Sequence, residues 1–163
     1  MRMSKKGKVI RTGAKILKAG EPSVKESAKQ KGRAVYVEDP EEYKTKTPAW
    51  AFSRCDTEKW ALCGCKEIYD SVIKKLGDFE GLTWMEIMSQ SGGRSHGTNS
   101  HFEDVGELIR EAQKRLRELH LDDLDQVFSL RLSGTERIYG ILNDRVLRII
   151  WYDPNHEIYP MSK

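Results

Sequence analysis

The last third of the chain changes its hydrophobic period from 3.6 to 2, and this limits the possible folds more than any other feature. Phe128, Leu130 and Leu132 alternate with Ser129, Arg131 and Ser133; Gly134 interrupts the run, and Arg137 to Leu142 resumes it. Asn143-Asp144 is turn-forming, because both residue types tolerate a positive φ, and Arg145 to Tyr152 makes a third run that stops at Asp153-Pro154. Side chains that alternate in this way point to opposite faces of an extended strand. Glu157-Ile158-Tyr159 reads as a short final edge. The segment therefore predicts an antiparallel β-meander of three to four strands.

Upstream the pattern is helical. Ile68, Val72, Ile73 and Leu76 share one helix face, and Gly77 stands where a C-cap glycine would end it. Thr83 with Glu86 has the form of a capping box that starts a short helix to about Gln90. Val105, Leu108, Ile109, Ala112, Leu116 and Leu119 form an apolar stripe that predicts a helix over 103–120, with Glu103 and Asp104 favoured in its first turn by the helix dipole. Trp50-Ala51-Phe52-Ser53 reads as an N-terminal strand, and Ala34–Val37 as a shorter one. The fold class is α+β: a meander plus an N-terminal strand, packed on a layer of two to three helices.

Charge divides the chain. Residues 1–33 carry eleven basic side chains, among them Lys5, Lys6, Lys8 and Arg11, against two acidic ones. This arm is therefore net +9, and residues 34–163, read as one domain, carry −6 of the total +3. A basic arm on an acidic body suits nucleic-acid binding, since lysine contacts to phosphates release counterions whatever the base sequence. It equally suits a solvated tail. The N-terminus has no apolar core of a secretory signal, and no stretch is long and apolar enough to span a bilayer, so a cytoplasmic protein without membrane contact is expected. Cys55, Cys63 and Cys65 make a poor disulfide framework. Cys63 and Cys65 could pair with His96 and His101 around zinc, but C-x-C is an unusual arm, so the thiols read as ordinary half-buried groups. No metal and no cofactor is expected.

Alternation assigns the two faces of the meander. Phe128, Leu130, Leu132, Ile138, Leu142, Leu147, Ile149 and Trp151 form the core face. Arg131, Arg137, Tyr139, Arg148 and Tyr152 share the other, a cationic and aromatic surface on which guanidinium groups can pair with phosphates and rings can stack on bases. The tail from Trp151 to Pro160 presents His156 and Tyr159 beside it. Histidine titrates nearest neutrality and is the first candidate for acid–base work, with Asp153 either orienting it or stabilising a turn.

The run Arg137-Ile138-Tyr139-Gly140-Ile141 and the tail that follows it resemble the RelE/ParE superfamily of bacterial toxins over roughly residues 102–159. The resemblance implies an mRNA-cleaving, metal-independent endoribonuclease that acts on RNA at the ribosome, or a gyrase poison, held inactive by a small acidic antitoxin. It implies Arg137 as the phosphate ligand and His156 or Tyr159 as acid or base. Nucleic-acid contacts would fall to Arg131, Tyr139, Arg148 and Tyr152, and to Lys5, Lys6, Lys8 and Arg11 of the arm. A non-catalytic nucleic-acid or protein-binding module using the same arm and face is the alternative.

The arm generates a direct expectation. Deleting residues 1–33 weakens nucleic-acid binding about equally for all sequences and flattens its salt dependence, as counterion release requires. Affinities measured from low to high salt for the full and truncated chains check this. An unchanged slope would remove the arm from binding.

Overall fold

The computed structural model describes residues 39–64, 68–90 and 100–159, and the compact unit begins at Pro40. The arm and Ala34–Val37 lie outside the described residues. The elements are β1 (Ala49–Ala51), α1 (Lys74–Phe79), α2 (Trp84–Ser89), β2 (His101–Asp104), α3 (Arg110–Glu118), β3 (Gln126–Arg131), β4 (Arg137–Asn143) and β5 (Val146–Asp153). The sheet order is β1-β5-β4-β3-β2. Strands β2 to β5 form an antiparallel meander, and β1 joins β5 in parallel, so the sheet is mixed. The α+β class expected from the sequence holds. No helix among the described residues is long and apolar enough to cross a membrane.

Local signals explain most boundaries. The capping box forms as expected: the Glu86 amide donates to the Thr83 hydroxyl, and the Thr83 amide donates to the Glu86 carboxylate at 2.7 Å. Gly77 does not end its helix. A π-helical turn over Tyr69–Ile73 leads into α1, which runs through Gly77 because Phe79, in the next turn, is buried in the core. Asp144, with φ 49°, and Arg145 make the β4–β5 turn, one residue later than expected, while Asn143 pairs with Val146. The Lys46 ammonium holds the Asp144 carboxylate at 2.8 Å.

The expected helix over 103–120 splits. Residues His101–Asp104 form β2, Val105–Glu107 make one 3-10 turn, and only Arg110–Glu118 is α-helical. Pairing explains the change: His101 to Asp104 lie opposite Ser129 to Gln126, so β3 takes the backbone groups that a helix would have closed on itself. Glu157–Tyr159 adds no strand.

The sheet is covered on both faces. Against the first face pack Val72, Leu76, Phe79, Trp84 and Ile87, meeting Phe128, Leu130, Ile138, Leu147 and Ile149. On the second face Leu108, Ala112, Leu116 and Ile158 meet Val127, Tyr139, Ile150 and Trp151. Each large side chain taken fully out of water contributes about 1.5–3 kcal/mol. The second face is thus core over much of its area, and not an open platform.

A β-bulge decides which residues reach that face. Tyr139 lies opposite Trp151 and Gly140 opposite Ile149, so Ile150 is an extra residue in β5. Beyond it the alternation inverts. Trp151 enters the second cluster and Tyr152 the first, the reverse of what strict alternation predicts. Trp151 then donates its indole N–H to Asp56 at 3.1 Å. The Asp56 side chain is fully buried and accepts both Nε and Nη2 of Arg115 from α3 at 2.7 Å. Burial alone would raise the Asp56 pKa; Arg115, the amides of Glu58 and Lys59, and Trp151 together hold it well below the usual carboxylate range.

Gly140 permits the bulge. A Cβ there would stand 2.4 Å from the Arg148 carbonyl oxygen, which is backbone and cannot move aside. Gly140→Ala is therefore expected to destabilise the fold by about 1–3 kcal/mol or more, as overpacking does. Urea denaturation checks this. A loss below about 0.5 kcal/mol would show that the β4–β5 register shifts freely, since substitutions without a structural mechanism stay within that range.

Candidate functional site

The site lies at the end of the second face, where β3, β4 and β5 bring Arg131, Arg137 and Asp153 into one cross-strand row. Asp153 is there because of the bulge. It is fully buried, and its two carboxylate oxygens accept from the backbone amides of Asn155 at 3.2 Å and Ile158 at 2.8 Å. The carboxylate thus folds the tail back on itself. Ile158 is buried in the second cluster, and its carbonyl accepts from the Ile109 amide at 3.0 Å. The tail therefore crosses from β5 to the segment that opens α3. Asp153 makes the turn, and the turn positions the histidine.

His156 sits midway in this crossing, half-buried, with φ 61° in the left-handed region. Burial lowers its pKa from 6.5, and the positive charge of Arg137 lowers it further; Asp153 and Glu103 act in the opposite sense. Burial and Arg137 both favour the neutral imidazole. The structure thus brings His156 and Arg137 into one electrostatic neighbourhood.

Arg137 is only 6% exposed. Its Nη1 donates to the carbonyls of Ser133 at 3.1 Å, Gly134 at 3.4 Å and Glu136 at 3.0 Å. Arg131 donates its Nε to the same Ser133 oxygen at 2.8 Å. Two guanidinium groups therefore share one acceptor. Burial lowers the Arg137 pKa, and the repulsion from Arg131 adds to this. Among the described residues no carboxylate oxygen forms a salt bridge with Arg137, although Asp153 and Glu103 moderate its charge from further away.

Beneath these groups lies Tyr139, whose ring is fully buried and whose hydroxyl makes no hydrogen bond of good geometry. Burial raises its pKa strongly, and the neighbouring Ser129 hydroxyl offsets only part of this. Along the next row His101 stands opposite Ser129, and its Nε2 lies 2.7 Å from the buried Glu103 carboxylate.

Other residues expected at this surface lie elsewhere. Tyr152 faces the first cluster, and its hydroxyl donates to Glu136 at 2.7 Å. Tyr159 donates to Glu107 at 3.0 Å, and that acceptor, with Glu103 and Asp104, raises its pKa, so its proton is already engaged. Arg148 pairs with Ile141, four residues along β4 from Arg137, or roughly 13 Å at the rise of a strand. Lys5, Lys6, Lys8 and Arg11 lie outside the described residues, as do Cys65 and His96. Cys55 and Cys63 are free thiols, and no cluster of three metal-ligating side chains occurs among the described residues.

Sequence reasoning missed the strand that pairs His101 with Glu103, reading His101 as part of a zinc arm and Glu103 as a helix-start acid, and it missed the structural role of Asp56. A signal for the strand existed in the alternation His101-Phe102-Glu103, which the helical stripe from Val105 onward obscures. Comparison of the chain with protein-family models, curated proteins and solved structures gave no match.

The tail supplies its own check. Asp153→Asn keeps the shape but leaves one acceptor where two amides need one each, so it is expected to cost about 1–3 kcal/mol. Hydrogen exchange at the Ile158 amide should accelerate. Unchanged protection there would show that the tail is held by Ile158 burial alone.

Proposed function

We propose that this end of the sheet binds the RNA backbone and that the chain cleaves it without a metal, with His156 as the base. The observation that carries this reading is the pair of guanidinium groups gathered on the Ser133 carbonyl oxygen, with a half-buried histidine whose neutral form burial favours in the same electrostatic neighbourhood. Two cations held together repel, and Arg137 is also largely out of water. A phosphate relieves both penalties, since guanidinium forks match its oxygens and charge-assisted hydrogen bonds are strong where water is excluded.

In the reaction, the His156 ring accepts the proton of a ribose 2′-hydroxyl as that oxygen attacks the adjacent phosphorus. The bond from phosphorus to the 5′-oxygen breaks, and the leaving oxygen takes a proton from solvent. The products are a 2′,3′-cyclic phosphate and a free 5′-hydroxyl, and His156 returns its proton to water. Arg131 and Arg137 face the charge that builds on the non-bridging oxygens. On this reading the resemblance to RelE-like toxins is functional. A small acidic antitoxin would silence the chain by covering the same cationic end.

Two variants test the roles while sparing the fold. His156→Asn keeps the left-handed backbone, which asparagine tolerates, and removes the titrating group. Cleavage of a labelled RNA should fall by about 10²–10⁴-fold with binding retained. Arg137→Lys keeps one charge but loses the fork, and should weaken both binding and cleavage. The cleavage rate of the unaltered chain should decline with acid along a limb whose midpoint lies below the ordinary histidine value of 6.5. Because the folded pKa is lowered, His156 also contributes stability above pH 6.5 that is lost as the pH falls through the folded value. Full cleavage by His156→Asn would end the catalytic assignment. RNA bound but never cut by the unaltered chain would leave the binding module.

A further inference from the structure

On the other side of the β3–β4 turn lies a cavity of about 270 Å³, lined by Lys75 of α1, Ile87 of α2, Gln90, Ser100, Arg131 and the turn residues Leu132 to Gly134. Its floor, Ile87 and Leu132, is apolar and buried, and the rest of the lining is polar or cationic. No acidic side chain is among the described residues that line it, although residues 34–163 are net −6. Lys75 forms no salt bridge with a carboxylate among the described residues. Its ammonium lies 5.2 Å from the centre of the Phe79 ring, which steadies it without neutralising it. Ser100 already accepts from the Arg131 amide at 3.1 Å, so the wall between β2 and β3 is fixed in place.

We propose that this cavity is a phosphate subsite, with Lys75 as its principal cation and the Ser100 and Gln90 side chains as neutral hydrogen-bonding groups. Lysine serves phosphate as a compact point charge, and the cationic lining favours an anion over a metal ion. Ser133 links this cavity to the arginine pair: its carbonyl holds Arg131 and Arg137, and the same residue lines the cavity. Two phosphate positions thus flank one turn. As a site for the phosphate next to the one being cleaved, the subsite rests on the RNA reading above. As a site for phosphate itself it does not.

The test uses the full chain and inorganic phosphate, with acetate at equal ionic strength as control, followed through the backbone amide resonances of Ser133 and Gly134. Phosphate should shift both amides saturably, and acetate should not. Lys75→Gln should weaken phosphate binding about tenfold and lower the salt slope for a short single-stranded RNA by about 0.7, the share of one phosphate contact. A second variant guards against a null result. A Cβ at Gly134 meets nothing within 4 Å, so Gly134→Asp fits and sets a negative charge at the cavity wall. It should abolish phosphate binding while the circular dichroism spectrum is retained. Amides unmoved by phosphate, equal response to acetate, or unaltered affinity in both variants would overturn the subsite whatever RNA does. Phosphate binding that responds to both variants, in a chain that binds no RNA, would keep the subsite for a free phosphorylated ligand and dismiss the RNA reading instead.

Discussion

One extra residue in β5 governs what both faces of the sheet can do. With Ile150 inserted opposite the Tyr139–Gly140 step, every side chain beyond it changes face. Trp151 reaches the second cluster and bonds Asp56; Asp153 reaches the same face and folds the tail. In a regular ladder both would point toward α1 and α2, Asp153 as an uncompensated buried carboxylate. Bulges commonly re-aim side chains at sheet ends and beside binding sites, and this one re-aims an indole and a carboxylate. Its condition is a residue without a side chain at position 140.

The two faces treat buried charge in opposite ways. Asp56 is compensated several times over, by a two-pronged Arg115, two amides and an indole. Removing one partner of such a pair leaves a stranded charge, which costs about 3–5 kcal/mol, so the clasp locks α3 against β5. Arg137 has neutral carbonyls on one nitrogen and a like charge beside it. If stability alone governed the design, a carboxylate would stand within reach, as Asp56 does for Arg115. Asp153 lies in the same row, yet both its oxygens serve backbone amides. That arrangement leaves Arg137 without a carboxylate salt bridge among the described residues.

What the sequence disclosed follows from how local each signal is. The meander, the capping box at Thr83 and the apolar stripe through Leu116 were legible, because a period or a three-residue spacing carries them. The bulge was not, since nothing in Tyr139-Gly140 or Ile150-Trp151 announces an extra residue until the two strands are set side by side. Hence Tyr152 was assigned to the wrong face and Trp151 likewise, while Arg137 and Tyr139, on the near strand, were assigned to the right one. β2 was lost to a competing helical pattern, and with it the pairing of Glu103 with His101. The sequence suggested that His156 could approach Arg137 if the tail folded back across this face. What folds the tail, an aspartate that ties two of its amides, is a long-range consequence of the same bulge.

Range separates the two cationic regions of the chain. At physiological salt the Debye length is about 8 Å, so exposed charges in general act weakly beyond near contact and alike on any polyanion. Arg131 and Arg137 meet the Ser133 carbonyl at hydrogen-bond distance, where burial lowers the Arg137 pKa and buried charges are screened less than exposed ones. On the proposed reading, affinity for nucleic acid and discrimination of a particular phosphate would therefore be separable. Salt would act mainly on the first. The second would depend on the geometry of the Ser133 carbonyl and the tail, and hence on the register that Gly140 permits.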